Sequence, residues 1–330
     1  MRTEREITEP VDLCLPDGRL NPAAVGWSRH PLHRPNLRGW GRGKRWEYWG
    51  LVTPTHVVGL TVSSIDYAGV ESVYVLDRTT GEEIVQDAVV PLARDVVLPA
   101  SCGVGGAHVE SGGLRLDFDE TGEGTRLRAH TTEVDVDVVA LMPEGHESMA
   151  VVVPWSPTRF QYTVKDVGRP ARGHVTVRGT AYDVDATDSF AVLDHGRGRW
   201  PYSITWNWGA GHGSVDGRLV GLQLGGKWTD GTGSTENALV VDGVVHKISE
   251  DLAWDYDRTD WLRPWRIHGS SINVVFTPFH ERAATTNLLV VAAETHQCFG
   301  HWTGWATASD GERVAVDGVV GWAEEARNRW

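Results

Sequence analysis

"TEVDVDVVAL", residues 132–141, alternates valine with an acid along most of its length. In an extended chain successive side chains point to opposite sides. Val134, Val136 and Val138 therefore share one face, and Glu133, Asp135 and Asp137 share the other. A helix would scatter the same acids around its circumference. The stretch reads as a strand with one dry and one wet face, the condition of an antiparallel sheet. The residues before it, "GLRLDFDETGEGTRLRAHT" (113–131), extend the pattern backwards as a strand, a Gly-rich turn and the start of one long strand running on to Leu141.

The same signature recurs outward in both directions. "HVVGLTVSSIDY" (56–67), "VESVYVLDRTTGEEIV" (70–85, turning at Thr80-Gly81) and "RGHVTVRGTAYDV" (172–184) read as strands in the first half. "SITWNWG" (203–209), "GRLVGLQLGG" (217–226), "NALVVDGVVHKI" (237–248), "SINVVFTP" (271–278), "NLLVVAAETHQCF" (287–299) and "ERVAVDGVVGWA" (312–323) do so in the second. Asp242-Gly243 and Asp317-Gly318, each between apolar arms, are hairpin signals. Helical periodicity is confined to the acidic start and the tail "GWAEEARNRW" (321–330), so few and short helices are expected. Many short strands imply an all-β fold of antiparallel barrels or sandwiches. An eight-stranded barrel takes roughly half of 330 residues, so two barrel-like halves are expected. The domains are placed as 1–45, a Trp/Arg-rich segment packing on the barrels; 46–188, the first barrel; and 189–330, the second, which carries the ligand site.

Composition narrows the function. Hydrophobic residues at 41% and charged residues at 23% describe a globular chain with a sizeable core. A formal net charge of −13 argues against nucleic acid and anionic membranes, both polyanions. The basic segment Arg29–Arg45 runs against that balance, and is expected to pack on acidic loops of its own chain. Cys14, Cys102 and Cys298 are too few and too far apart for a disulfide framework. With no apolar leader at the N-terminus and no membrane-length apolar run, a cytoplasmic location and no membrane span are expected.

Two Gly-rich motifs fail as phosphate cradles. "GLQLGGK" (221–227) is followed by Trp228 where Ser or Thr would hold magnesium, and "GAGHG" (209–213) leads into another strand. What remains is acids and histidines set among tryptophans, of which the chain has 16. In "ETHQCFGHW" (294–302), Glu294, His296 and Cys298 share one strand face. All three residue types can bind zinc, but a metal site needs ligands from a second element. The stretch is read instead as a strand whose far end lines a ligand cavity, with Glu294 and His296 inward and no metal. "EDLAWDYDRTDWLRPW" (250–265) packs five acids among aromatic residues, where desolvation would raise a carboxyl into the range of a general acid. "WTDGTGSTENA" (228–238) sets Asp230 and Glu236 on a Gly-rich loop able to act as a lid, and "FTPFHER" (276–282) sets His280 beside Arg282. In "LDHGRGRWPYSITWNWG" (193–209), Asp194 stands at an expected turn, and Trp206 and Trp208 at period two form an aromatic wall.

These strings, with "NPAAVGWSRHP" (21–31), "YWG" (48–50), "LQLGGKWTDGTGSTENA" (222–238), "WDYDR" (254–258) and "RPWRI" (263–267), resemble the bacterial family DUF2804 over almost the whole chain. More distantly, "LDHGRGRW…TWNW" resembles the Asp-[His/Arg]-x-x-Gly…Trp-x-Trp pattern of the carotenoid hydratase (hydroxyneurosporene synthase) and AttH-like group. That resemblance implies two lipocalin-like, calycin-type barrels and places Asp194 on the group's motif acid and Gly198 on its glycine. Arg197 stands where the relatives commonly carry tryptophan, a departure that argues against a purely apolar substrate. The function expected is a small-molecule-binding double barrel acting, without a metal or redox cofactor, as an acid-catalysed hydratase, isomerase or cyclase on an isoprenoid- or polyketide-like, partly hydrophobic ligand. Asp194 is the first candidate acid, with Asp257, Glu236 and Glu294 behind it. His280 or His296 would shuttle the proton, Arg282 would orient a polar end, and Trp206, Trp208, Trp228, Trp254 and Trp302 would line the pocket. The alternatives are a lipid or pigment carrier without chemistry, and a glycan-binding or glycan-cleaving protein, which draws on the same tryptophans and paired carboxylates.

Overall fold

The structure, a computed structural model, describes residues 3–288 and 291–329. Leu289 and Val290 of the strand expected at 287–299 lie outside the described residues. Three two-residue strands come first: β1 (Val11–Asp12), β2 (Trp27–Ser28) and β3 (His33–Arg34). Then follow β4 (Gly43–Val52), β5 (His56–Ser64), β6 (Ala68–Asp77), β7 (Glu83–Pro91), β8 (Gly106–Ser111), β9 (Leu114–Thr121), β10 (Gly124–His130), β11 (Val134–Leu141), β12 (Met149–Ser156), β13 (Arg159–Val177), β14 (Thr180–Val184) and β15 (Phe190–Arg199). The rest of the chain gives β16 (Ser203–Val215), β17 (Arg218–Gly226), β18 (Asn237–Val241), β19 (Val244–Ile248), β20 (Ala253–Asp255), β21 (Trp265–His268), β22 (Ile272–Leu288), β23 (Val291–Thr307), β24 (Arg313–Ala315) and β25 (Val319–Arg329). Helix among the described residues is one 3-10 turn, Pro22–Ala24. No helix is long and apolar enough to cross a membrane.

The protein is all-β, with two barrel-like curled sheets, one nearly closed and one a half-barrel. The first sheet runs β7-β6-β5-β4-β15-β13-β11-β10-β9-β8, with β2, β12 and β14 attached. Across its open seam Gln86 Nε2 donates to the Gly112 carbonyl at 2.8 Å. The second sheet runs β19-β18-β17-β16-β25-β23-β22-β21-β20, with β24 attached to β23. Contacts divide the chain into a unit of Ile7–Val152 and Ser156–Trp200 and a unit of Met1–Glu6, Val153–Trp155 and Pro201–Trp330. The passage into the second half therefore falls at Trp200–Pro201, beyond the expected residue 188. The cause is β15, which is no turn but a strand laid between β4 and β13, pairing with both over its length.

Alternation is the organising rule. Val134, Val136 and Val138 of β11 point into the first core, while Asp135 and Asp137 face out. The expected single long strand breaks at Thr131, whose Oγ1 accepts from the Val134 amide at 2.9 Å and turns the chain between β10 and β11. The Asp242-Gly243 turn makes the β18–β19 hairpin, both residues having positive φ (49° and 82°). The Asp317-Gly318 turn does not make one: β24 pairs with β23, and β25 pairs with β16 and β23. The tail expected as helix is β25. Its Ala, Glu and Arg are good helix formers, but a partner strand on each side and burial of both faces override that local preference.

The basic segment is paired within its own unit. Arg29 binds Glu147 at 2.7 Å, Arg34 binds Asp12 at 2.6 Å, and Arg45 lies 3.6 Å from Asp66. Lys44 is buried over the Tyr67 ring, and burial pushes its ammonium down to about 8.

Candidate functional site

The inner face of the second sheet gathers the chemistry. Directly paired residues on neighbouring strands share a face. The register sets His296 opposite Glu325, Glu294 opposite Arg327, Cys298 opposite Ala323 and Asn207 opposite Glu325. Cys298, Trp302 and Ala323 belong to the core, so this face is the inner one and the polar residues stand at its rim.

A β-bulge decides who joins them. From Phe276, inward and opposite Trp302, strict alternation would bring His280 and Arg282 inside. The register instead slips between Pro278 and His280, so that His280 meets Phe299 and Glu281 meets Cys298. One extra residue exchanges the two faces. Glu281 is thereby delivered to the inner face, while His280 and Arg282 go to the other.

Glu281 Oε1 lies 2.7 Å from His296 Nδ1, and Glu294 Oε1 lies 3.3 Å from His296 Nε2. Each ring nitrogen thus faces a carboxyl oxygen that can accept its proton. The imidazole stacks on Trp261, centroids 4.1 Å apart and planes 12° apart. Trp261 leans on Trp265, which stacks on Tyr256 at 4.1 Å and 9°. Trp254 meets Trp265 edge-on.

Beside this aromatic row Glu325 is buried and accepts from Lys227 Nζ, Tyr256 OH and Arg327. Asn207 Nδ2 donates to the Tyr256 oxygen at 3.0 Å, and Lys227 Nζ does so at 2.5 Å. Burial alone would push the Glu325 carboxyl up, but hydrogen bonds from Lys227 and Tyr256 outweigh it and hold the group below its ordinary value. Burial, and then the Glu325 carboxylate, push the Tyr256 phenol up, so it stays a donor.

The glycines of the two failed phosphate motifs have a packing reason. A Cβ on Gly209 would stand 3.0 Å from the Trp302 ring and 3.2 Å from Trp254, and one on Gly226 would stand 2.8 Å from Trp254 Nε1. The strands admit two indoles because they carry hydrogen there. Trp254 Nε1 and the fully buried Trp302 Nε1 have no hydrogen-bond partner.

Of the expected site residues, the inner face thus holds Glu294, His296, Trp254 and Trp302. Trp206, Trp208, Trp228 and Glu236 are on the opposite face: Trp206 donates to Glu324, Trp208 to Gln223 and Trp228 to Glu236. The loop carrying Glu236 is tied down, its Thr235 amide donating to Glu4 at 2.8 Å. Asp257 is a turn acid, accepting from the Thr259 hydroxyl at 2.6 Å and amide at 2.8 Å, and these bonds hold it below its ordinary value. Nor is the Glu250 carboxyl, at the start of the same acidic stretch, raised. Glu250 resists the upward push of burial through four bonds from Ser270 and Ser271, which bring it to about 2. Asp194 belongs to the other unit, on β15, with Lys165 Nζ at 3.0 Å and the Thr163 hydroxyl at 3.1 Å.

The residues that sequence reading missed are Glu281, Tyr256, Glu325, Lys227 and Asn207. Tyr256 was hidden between two acids, and Glu281 behind the bulge. Among the described residues no three His, Cys, Asp or Glu side chains come together so as to hold a metal ion. Cys298 donates to the Trp261 carbonyl, and burial pushes its thiol up to about 12. An open groove of about 610 Å³ lies elsewhere, on the wet face of the first sheet between Arg115, Arg128, His130 and Asp137. Its charges pair across strands, as Arg128 of β10 does with Asp119 of β9 at 2.7 Å.

The model of the family described as "Domain of unknown function (DUF2804)" matches residues 4–330. No curated protein matches the sequence. Among solved structures, an AttH-like protein of Nitrosomonas europaea superposes with a TM-score of 0.52 at 13% identity, covering 86% of this chain and 92% of that one. Kievitone hydratase of Nectria haematococca does so with a TM-score of 0.51 at 11% identity, covering 88% and 89%. At such identities the likeness is one of fold.

Proposed function

This chain belongs to the DUF2804 family, and from that premise we propose that it binds a small molecule on the inner face of its second sheet and moves a proton on it. The observation that carries the reading is the Glu281–His296–Glu294 relay, resting on Trp261 at the partly exposed rim of an aromatic face. A flat, unsaturated part of a ligand suits such a face, since indole rings take up apolar rings and stabilise positive charge through their π faces. His296, held by Glu281, gives its Nε2 proton to a double bond. Water then adds to the carbon left positive, and the proton that water loses goes to Glu294. Run without the water, the same proton steps shift a double bond. Neither reaction changes oxidation state overall, so no redox partner is needed. Lys227, Asn207 and Tyr256 hold Glu325 and the aromatic row in place. That the fold also serves a protein named as a hydratase supports water addition as the first reaction to look for.

The test is incubation of the protein with pooled isoprenoid and aromatic enone compounds, followed by mass analysis for gain or loss of one water and by chromatography for isomers. Turnover that falls by about 10²-fold or more in both His296→Asn and Glu281→Gln is the expected result. A ligand bound saturably but recovered unchanged would replace the enzyme by a carrier.

A further inference from the structure

The first sheet closes over a second set of polar side chains. Trp49, Leu193 and Val73 belong to its core, so Glu47, His195, Arg197 and Glu71, two or four residues away along the same strands, face the same interior. Tyr162, opposite Arg197 in the register, faces it too. Glu71, Tyr162 and His195 are fully buried, and Arg197 nearly so. His195 Nδ1 lies 3.0 Å from Glu47 Oε1. The carboxylate accepts, so the ring proton sits on Nδ1 and Nε2 carries the lone pair. Burial first, and then the Arg197 charge, push the imidazole down to about 4 against the pull of Glu47, so the ring is neutral.

Four atoms in this interior lack any hydrogen-bond partner: His195 Nε2, Tyr162 OH, Arg197 Nε and Glu71 Oε1. Native interiors leave only a few such atoms per hundred residues, since each costs about 1–3 kcal/mol. Four at one end of one barrel have a common cause. The connection between β7 and β8 lies over this end: Val96, Leu98 and Cys102 pack on the core, and Arg197 Nη2 donates to the Pro99 carbonyl at 2.7 Å. The same connection exposes Leu92, Val97 and Val104.

We propose that this end of the first barrel is a second ligand site, for an uncharged small molecule bearing a hydroxyl group, and that it is entered when the 92–105 connection releases the Arg197–Pro99 contact. A hydroxyl is the group that answers these atoms, donating to His195 Nε2 while accepting from Tyr162 OH or Arg197 Nε–H. An anion is disfavoured because Glu47 already lies 3.7 Å from the Arg197 guanidinium. Trp49 and the surrounding aliphatic core suit a compact apolar body.

The test is calorimetric titration of the full chain with phenol, and with anisole, which keeps the ring but cannot donate. Saturable phenol binding, weakened about tenfold or more for anisole and in both Tyr162→Phe and His195→Gln, is expected. Tyr162→Phe keeps the ring packing and removes a hydroxyl with no partner, so it folds at least as stably as the natural protein. Absence of saturable phenol binding, or binding that Tyr162→Phe leaves unchanged, overturns the site. His296→Asn leaves the phenol isotherm as it was, which separates this site from the one on the second sheet.

Discussion

On the second sheet Glu281 and Glu294 stand at a rim that solvent reaches, with the buried Glu325 beside them, and each meets a histidine, lysine or arginine. Inside the first sheet Glu71, Tyr162 and His195 are sealed from solvent, and each keeps a polar atom without a partner. The two regions share one architecture, a curled antiparallel sheet with an apolar interior that turns polar at one end. They differ in what satisfies the polar end. The rim is satisfied by ion pairs and remains open to a ligand. The sealed interior is satisfied incompletely and is covered by a connection. Open and paired suits turnover; closed and unpaired suits capture.

The contrast is broken most severely at Arg169. Buried in the first sheet, it donates to the carbonyls of Ala140 and Leu141 and to Thr125, and lies over the Trp49 ring. Arg169→Met leaves the Ala140 and Leu141 carbonyls without their donor and Asp166 with His146 as its remaining partner, and is expected to cost about 3–5 kcal/mol in urea unfolding. Lys227→Met on the open rim, where Arg327 and Arg258 still face Glu325, is expected to cost about 1 kcal/mol. Equal costs would remove the distinction between sealed and open charge.

A pH titration of stability sharpens it. Burial pushes Glu71 up to about 8 from its ordinary 4.5, so the folded state keeps a proton that the unfolded chain loses. Stability therefore falls as pH rises from about 4.5 to about 8. His195 acts in the opposite sense. Its folded value near 4 lies below the ordinary 6.5, so stability is lost as pH falls through that interval. The two slopes oppose each other up to pH 6.5 and leave a net fall from there to 8. Glu71→Gln should flatten that fall, which amounts to roughly 2 kcal/mol. An unchanged profile would mean that Glu71 is ionised when folded.

Asp194→Asn comes next, with an expected loss of about 2 kcal/mol because Lys165 loses its charged partner. It also sets two readings against each other. If turnover collapses in a folded Asp194→Asn protein while His296→Asn retains it, the acid lies on the first sheet and the rim assignment falls. The smallest effect belongs to Asp257→Asn, whose carboxylate caps a turn and pairs with the exposed Arg263. Its melting temperature should match the natural protein's within error.

Much of this protein is legible in its sequence. The valine–acid alternation of residues 132–141 defines β11 and its two faces, the Asp-Gly pair at 242–243 defines a hairpin, and the Trp-rich strings identify the family. On β23 the period-two spacing correctly sets Glu294, His296 and Cys298 on one face, because nothing between them interrupts the pleat. These features are local. They depend on a two-residue repeat, on turns of four residues, or on recurrence of long strings.

The rest was decided by packing between residues distant in the chain. The bulge at Pro278–His280 carries no strong local signal, yet it swaps His280 and Arg282 for Glu281 at the site. β15 goes to the first sheet because β4 and β13, more than a hundred and about thirty residues earlier, supply the partners on its two edges. Tyr256 gains its role only when Asn207, Lys227 and Glu325 converge on it from three other parts of the chain. A sequence by itself determines which side chains alternate. Which face becomes an interior, and which polar atoms find partners there, is fixed by register and closure of the sheet, since one residue of slip exchanges inside for outside.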